Sequence, residues 1–128
     1  MNKFIYQLQE VFKYFKFKFS KPKKIEFQRI SVNQAKAMMA KQAMIILDTR
    51  DPQSYQAGHV SGAQNFHEEQ FINFCRNTSK DKPILVYCYK GFSCQVVAQR
   101  LVEQGFYKVY SMDGGFTGWA EKEMSSRT

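Results

Sequence analysis

Residues 84–94 read Ile84-Leu85-Val86-Tyr87-Cys88-Tyr89-Lys90-Gly91-Phe92-Ser93-Cys94. The apolar run at the start of this segment is typical of a buried strand, and Cys88 follows that run directly. A short loop containing Gly91 comes next, and the apolar spacing then predicts an amphipathic helix over residues 93–104, closed by Gly105. Ligands bind at the carboxyl ends of the strands in open α/β sheets. The segment therefore places a cysteine where a binding site is expected.

The rest of the chain alternates strand-like and helix-like patterns around this segment. Strand patterns occupy residues 27–30, 44–47, 83–87 and 108–112, and helix patterns occupy residues 32–41, 68–76, 93–104 and 116–124. Such alternation favours a parallel sheet that is covered by helices on both faces. The sequence therefore predicts one α/β domain over residues 25–124, followed by a short tail over residues 125–128.

The first 24 residues differ in composition from this domain. They hold seven Lys against one Glu, whereas residues 25–128 hold twelve basic and ten acidic side chains. Their aromatic and aliphatic residues recur at helical spacing, although residues 15–19 alternate strictly and could equally be extended, and residues 20–24 around Pro22 have the composition of a linker. We therefore interpret residues 1–24 as a basic, aromatic, amphipathic arm and linker. Three roles for the arm stay open: an anchor on an anionic membrane surface, a docking helix for a protein partner, or a segment packed on its own domain. No motif supports a nucleic-acid partner.

The cysteine content and the distribution of apolar residues favour a reducing compartment. No stretch approaches the roughly 20 apolar residues that a membrane-spanning helix needs. Lys13, Lys16 and Lys18 interrupt what would have to be the apolar part of a secretory signal. The three cysteines do not have the spacing of zinc ligands, and we expect free thiols. The predicted location is the cytoplasm, with peripheral attachment to the inner face of the membrane as an option.

Cys88 is the candidate nucleophile. Backbone N–H groups in a loop that curls into a helix N-terminus form an anion-binding nest, and the helix dipole strengthens it. Such surroundings lower the pKa of a cysteine. Gly91 would let the backbone fold tightly around the sulfur, and Lys90 would add positive charge. The alternative is that Cys88 is a small apolar strand residue without reactivity.

Three motifs lie along the chain in a fixed order. Residues 88–93 read Cys-x-x-Gly-x-Ser, residues 47–63 contain Asp48-x-Arg50 and Gly58-His59-Val60-x-Gly62-Ala63, and residues 110–119 contain Gly114-Gly115-Phe116 and Trp119. Together they cover roughly residues 27–122 and resemble the signatures of the rhodanese family, in particular its small single-domain bacterial thiosulfate sulfurtransferases. The resemblance implies an α/β, three-layer fold with a mostly parallel central sheet of about five strands and helices on both faces.

The same resemblance implies an activity. The chain would be a sulfurtransferase that moves a sulfur atom from thiosulfate, or a similar anionic donor, to a thiol or cyanide acceptor through a persulfide on Cys88. It would need no metal and no organic cofactor. Asp48, Arg50 and His59 would support the site structurally, and the substrate-binding residues would be Tyr89, Lys90, Gly91, Phe92, Ser93 and Cys94. The alternative function is a persulfide carrier or interaction module that serves a protein partner and turns over small molecules poorly.

Two positions in the loop depart from the usual pattern of these relatives. Cys94 stands where Ser is more usual, and it could act as a resolving thiol that forms a disulfide with Cys88, as in a redox switch. The opposing interpretation is a Ser-like residue at the helix N-terminus that never reacts. Phe92 would narrow the mouth of the pocket. Cys94 also occupies the position of the Arg in the Cys-x5-Arg loops of related phosphatases, and the lack of that Arg argues against a phosphatase.

Overall fold

The computed structural model describes residues 25–127. The predicted arm and linker over residues 1–24, and Thr128 at the other end, lie outside the described residues. Within residues 25–127, no helix is both long enough and apolar enough to cross a lipid bilayer.

Five strands alternate with five helices in the described part of the chain. The strands are β1 (Gln28–Ile30), β2 (Ile45–Asp48), β3 (Gln64–Asn65), β4 (Ile84–Tyr87) and β5 (Val109–Met112). The helices are α1 (Val32–Lys41), α2 (Pro52–Ala57), α3 (Glu68–Asn77), α4 (Cys94–Glu103) and α5 (Gly115–Ser126). The α/β class predicted from the alternating patterns is confirmed.

The strands form one sheet in the order β1-β5-β4-β2-β3, and every pairing between neighbours is parallel. β4 lies in the middle and its four residues are fully buried. In the register between β2 and β4, Asp48 pairs with Tyr87. The two strands therefore end side by side, and the chain leaves both at the same edge of the sheet.

Separate apolar clusters cover the two faces of the sheet, because alternate residues of a strand point to opposite sides. One face packs against α3 and α4, and its largest buried side chains include Leu47, Ile84, Val86, Leu101 and Phe106. The other face packs against α1 and α5, and it includes Ile46, Leu85, Tyr87, Val60 and Met112. These two clusters give the three layers that the resemblance implied.

The element boundaries differ from the sequence-based prediction at three places. α2 was not predicted, although Asp51 caps it and Pro52 occupies its first turn, a combination that favours helix initiation. β3 is only two residues long, which is too short to give a periodic pattern. Gly115, predicted to lie in a turn, is the first residue of α5, and its φ of 56° is an uncommon conformation for that position.

Candidate active site

Cys88 is the first residue after β4, and only 3% of its surface is exposed. Its Sγ accepts hydrogen bonds from the backbone N–H groups of Gly91 and Cys94, both at 3.3 Å. Gly91 lies in the middle of the loop over residues 88–93 that joins β4 to α4, and Cys94 is the first residue of α4. The loop therefore wraps around the sulfur atom.

The surroundings of Cys88 lower the pKa of its thiol to about 4, from an ordinary value of 9.0. The largest cause is a hydrogen bond from the side chain of Cys94, and burial opposes it by disfavouring the charged form. The Ser93 side chain and the N–H groups of Cys94 and Gly91 lower the pKa further. Hydrogen-bond donors thus outweigh desolvation, and the thiol is ionised at neutral pH.

The loop offers further donors to a ligand. The backbone N–H groups of Lys90, Phe92 and Ser93 have no hydrogen-bond acceptor within residues 25–127. An N–H group without a protein partner is available to an anion, and several in one short loop form an anion-binding nest. The loop can therefore hold a second anionic atom beside the Cys88 sulfur.

The N-terminus of α5 donates hydrogen bonds to the loop, a contact that the sequence analysis did not predict. Phe116 N–H donates to the Cys88 carbonyl at 2.8 Å, and Thr117 N–H donates to the Tyr89 carbonyl at 3.0 Å. A Cβ on Gly115 would lie 2.5 Å from both of these carbonyl oxygens, so only glycine permits this approach. The Gly114-Gly115 pair in the sequence was the available signal for this contact.

Gly91 is also fixed by its surroundings. Its φ is 96°, in the region that favours glycine, and an added Cβ would lie 2.9 Å from the Met112 carbonyl oxygen and 3.0 Å from the Gly114 nitrogen. The loop therefore packs tightly against the end of β5 as well as against α5. This packing sets the direction of the Gly91 N–H toward the sulfur.

Asp48 and Arg50 form a buried ion pair beside the site. The Arg50 guanidinium contacts both carboxylate oxygens, with Nη2 at 2.8 Å from Oδ2, and the pair is almost completely buried. Arg50 Nη2 also donates to the Gly58 carbonyl at 2.6 Å. In this conformation the Arg50 guanidinium donates its hydrogen bonds to groups of the protein itself, Asp48 and the Gly58 carbonyl. It links the end of β2 to the segment after α2.

Tyr87 and Phe116 extend this network across the sheet. The Tyr87 hydroxyl accepts the Val60 N–H at 3.1 Å, and burial together with the Asp48 carboxylate raises the pKa of Tyr87. The Arg50 guanidinium lies 4.0 Å from the centre of the Phe116 ring, a favourable cation–π distance. The network ties β2, β4 and α5 together around the base of the loop.

The predicted site residues divide into two groups by position. Tyr89, Lys90 and Phe92 are exposed at the mouth of the site, and the Tyr89 hydroxyl contacts Asp51. His59 contacts Tyr55: its Nδ1 is 2.8 Å from the Tyr55 carbonyl oxygen, and its ring stacks on the Tyr55 ring. A role for His59 as structural support stays a prediction, as do the roles of the individual loop residues.

All three cysteines are free thiols, and Cys94 is completely buried beneath Cys88 in the same apolar cluster. Its Sγ lies 3.3 Å from the Ser111 hydroxyl oxygen. Cys75, on α3, is also buried, and burial raises the pKa of its thiol. No group of three or more metal-ligating side chains is found in residues 25–127.

Comparison with known proteins assigns the domain. The model of the rhodanese-like domain family matches residues 31–122. The thiosulfate sulfurtransferase GlpE of Pseudoalteromonas translucida is 46% identical over 93 residues, which are 73% of this chain and 89% of that protein. The protein of the same name from Pseudomonas entomophila is 50% identical over 94 residues, covering 73% of this chain and 85% of the relative.

Solved structures agree at the level of the fold. The solution structure of a rhodanese-like domain from Anabaena superimposes with a TM-score of 0.67 at 25% identity, covering 78% of this chain and 83% of that one. A rhodanese-like domain protein from Staphylococcus aureus gives a TM-score of 0.65 at 17% identity, covering 73% of this chain and 91% of that one, and this likeness concerns the fold alone. The family match, the sequence relatives and the sheet topology agree, and this chain belongs to the rhodanese-like domain family.

Proposed function

We propose that this chain is a thiosulfate sulfurtransferase that carries a sulfur atom on Cys88 as a persulfide. The observation that carries the proposal is a thiol at the end of the central strand whose Sγ accepts hydrogen bonds from two backbone N–H groups at 3.3 Å. The name of the relatives at 46% and 50% identity, thiosulfate sulfurtransferase, supports the same reaction. The reaction needs a sulfur donor and a sulfur acceptor.

The first half of the reaction loads the cysteine. The Cys88 thiolate attacks the outer sulfur of thiosulfate, the sulfur–sulfur bond of thiosulfate breaks, and sulfite leaves with the electron pair. The outer sulfur remains on Cys88 as a persulfide. We expect the N–H groups of Lys90, Phe92 and Ser93, which have no protein acceptor within residues 25–127, to stabilise negative charge on this second sulfur.

The second half delivers the sulfur. An acceptor thiolate, or cyanide, attacks the outer sulfur of the persulfide, and the bond between that sulfur and Cys88 Sγ breaks. Cys88 leaves as a thiolate with the electron pair, and the acceptor keeps the sulfur as a new persulfide or as thiocyanate. A thiolate that is already ionised needs no general base, so Asp48, Arg50 and His59 support the site without exchanging protons with the substrate.

Steady-state kinetics with thiosulfate and cyanide test this proposal. Wild type is expected to release thiocyanate, and Cys88→Ser is expected to lose the activity completely because a hydroxyl cannot carry the persulfide. Cys75→Ala is the matched control, because it removes a buried thiol on α3 that takes no part in the loop. Residual turnover in Cys88→Ser, or an equal loss in Cys75→Ala, would contradict the assignment of Cys88.

A persulfide carrier that serves a protein partner is the second candidate, and the mouth of the site favours it. Phe92 is 72% exposed and Tyr89 47% exposed, so two aromatic side chains lie at the mouth of a site whose small substrates are strongly hydrated anions. Exposed apolar groups at a binding site indicate a partner that covers them. Negligible turnover with cyanide but rapid transfer to a protein thiol would favour the carrier over the thiosulfate enzyme.

We also propose that the basic arm over residues 1–24 contacts either an anionic membrane surface or a protein partner. Seven Lys with interleaved aromatic residues support this proposal. Co-sedimentation of the full chain with vesicles of anionic lipid tests membrane binding by the arm. The comparison protein carries the substitutions Lys13→Gln, Lys16→Gln and Lys18→Gln. If the two proteins bind the vesicles equally, or if wild type does not bind them, the result argues against an arm that binds an anionic membrane surface.

A further inference from the structure

The side chain of Gln95 holds a backbone group of the loop around Cys88. Gln95 is the second residue of α4, and its Nε2 donates to the Gly91 carbonyl oxygen at 2.7 Å. Its backbone N–H donates to the Phe92 carbonyl oxygen at 3.1 Å. One residue thus binds two successive carbonyl groups of the loop, and neither of these contacts involves the sulfur itself.

The Gly91 carbonyl depends on the Gln95 amide. Gly91 is buried, and within residues 25–127 the Gln95 side chain is the hydrogen-bond donor to its carbonyl. A buried carbonyl without a donor is unfavourable, because it has lost water and gained no other partner. Glycine has no Cβ that would restrict the rotation of this carbonyl. The hydrogen bond from Gln95 therefore favours one orientation of the peptide group that follows Gly91.

The same peptide group carries the Phe92 N–H. Residues 25–127 contain no cis peptide bond, so the Gly91 carbonyl and the Phe92 N–H point in opposite directions, with the N–H facing away from Gln95. Gly91 has a φ of 96°, and a left-handed residue in a turn brings successive N–H groups to one side of the chain. We therefore expect the Phe92 N–H to lie on the same side as the Gly91 N–H, which donates to Cys88 Sγ.

We propose that Gln95 is a positioning residue that aims the Phe92 N–H at the second anionic atom in the site, the outer sulfur of thiosulfate or of the persulfide. The inference rests on the proposed function, because that reaction brings this atom into the site. Cys88 Sγ already accepts the N–H groups of Gly91 and Cys94. The second atom therefore needs other donors, and the Phe92 N–H has no acceptor within residues 25–127.

Gln95 also makes this N–H a stronger donor. A hydrogen bond to the carbonyl of a peptide group polarises that group, and the polarisation strengthens the hydrogen bonds that its N–H makes. The gain is larger toward an anion than toward a neutral acceptor, because hydrogen bonds to charged groups are the stronger ones. The Gln95 side chain is neutral, so it provides this effect without placing a charge beside Cys88.

The proposed role concerns one peptide group and leaves the preceding one unchanged. The Gly91 N–H belongs to the peptide group before Gly91, and the packing of Gly91 against β5 and α5 sets its direction toward Cys88 Sγ. Loss of the Gln95 amide should therefore weaken binding of the second anionic atom, while Sγ keeps both of its donors. A residue that merely holds the loop in shape would weaken both.

The test compares wild type, Gln95→Met and Gln99→Met in three assays. Methionine matches glutamine in length but cannot donate to a carbonyl. Gln99 lies one turn further along α4 and its side chain makes no hydrogen bond within residues 25–127, so it provides the matched control. The assays measure sulfite release at limiting thiosulfate, the pH dependence of Cys88 alkylation by iodoacetamide, and the protection of Cys88 from this reagent by sodium sulfate at constant ionic strength.

Gln95→Met is expected to load sulfur about tenfold more slowly at limiting thiosulfate, a factor at the lower end for a hydrogen bond to a charged group. Half-protection of Cys88 should need about tenfold more sulfate for the same reason, while the pH midpoint of alkylation stays at the wild-type value. Gln99→Met should match wild type in all three assays. Unchanged loading and protection in Gln95→Met, equal losses in the two variants, or an alkylation midpoint that rises together with the loss of loading would each overturn the inference.

A second pair of variants keeps the test decisive if Gln95→Met does not fold. Gln95→Glu keeps the size of the side chain but replaces the donor by a carboxylate, which repels the Gly91 carbonyl. Gln99→Glu adds the same charge one helical turn further from the loop. Loading and sulfate protection should both be weaker in Gln95→Glu than in Gln99→Glu, and equal values would contradict a positioning role for Gln95.

The sulfate assay separates this inference from the proposed function, because protection by sulfate needs no sulfur transfer. If wild type forms no persulfide, the proposed function fails, while the sulfate dependence still decides whether Gln95 positions a donor to an anion. A wild-type protein that thiosulfate does not load and sulfate does not protect would refute both.

Discussion

The ionised Cys88 makes a quantitative prediction about the pH dependence of stability. Its pKa is about 4 in the folded protein, against an ordinary value of 9.0 that applies to the unfolded chain. Between these two values the thiol is ionised when folded and protonated when unfolded, so the unfolded chain binds more protons. The free energy of unfolding therefore rises with pH through this window, and the contribution is lost as pH falls through the folded pKa.

The magnitude follows from the linkage relation. Each pH unit inside the window contributes about 1.4 kcal/mol. Only 3% of the Cys88 surface is exposed, so solvent screening does not weaken the hydrogen bonds to its sulfur. Between pH 5 and pH 8 the expected gain from this one group is about 4 kcal/mol, a large share of the roughly 5–15 kcal/mol that stabilises a typical domain.

Urea denaturation of wild type and Cys88→Ser at several pH values, under reducing conditions, measures this contribution. Serine is close in size to cysteine but does not titrate in this range, so groups common to both proteins cancel in the difference. The difference in unfolding free energy should increase by about 4 kcal/mol from pH 5 to pH 8. A difference that is flat across this range would refute the claim that the folded loop holds a thiolate.

Further predictions concern the glycine of the loop and the ion pair beside it. Gly91→Ala should cost more stability than Gly62→Ala in thermal unfolding: both positions have positive φ, but a Cβ at Gly91 meets two backbone atoms at 2.9 and 3.0 Å whereas Gly62 is open. Gly91→Ala should also raise the pH at which alkylation of Cys88 by iodoacetamide reaches half its maximal rate. Equal effects of Gly91→Ala and Gly62→Ala would contradict the tight packing of the loop. Asp48→Ala should destabilise the fold by about 3–5 kcal/mol because it leaves Arg50 buried without its partner. Arg29→Ala breaks the exposed ion pair with Asp113 and should cost less than about 1 kcal/mol. Similar losses of stability in Asp48→Ala and Arg29→Ala would show that burial of the Asp48–Arg50 pair is unimportant.

The sequence predicted those features of the fold that depend on local patterns. The apolar run before Cys88, the glycine after it and the amphipathic helix over residues 93–104 are contiguous, so their order alone placed the cysteine at the end of a central strand. The cap of α1 is local in the same sense, because Ser31 stands directly before this helix and its Oγ accepts the Gln34 N–H at 3.1 Å. Short elements such as β3 are set by pairing with a neighbouring strand, and they leave no pattern of their own.

The contacts that shape the site depend on register between distant segments, which the sequence does not state. Ser111 reaches Cys94 only because β5 pairs with β4 in one register, and a serine inside an apolar strand carries no separate signal. The approach of Gly115 to the Cys88 carbonyl likewise joins residues far apart in the chain. Each of these contacts requires the complete three-layer packing, and so each became visible only in the structure.

Intact mass measured after treatment with thiosulfate tests the central claim most directly. Wild type should gain the mass of one sulfur atom, and the gain should disappear on reduction with a thiol and on adding cyanide. Cys88→Ser should gain nothing, while Cys75→Ala should behave as wild type. A wild-type protein that keeps its original mass, or a sulfur that is acquired equally by Cys88→Ser, would contradict a persulfide on Cys88.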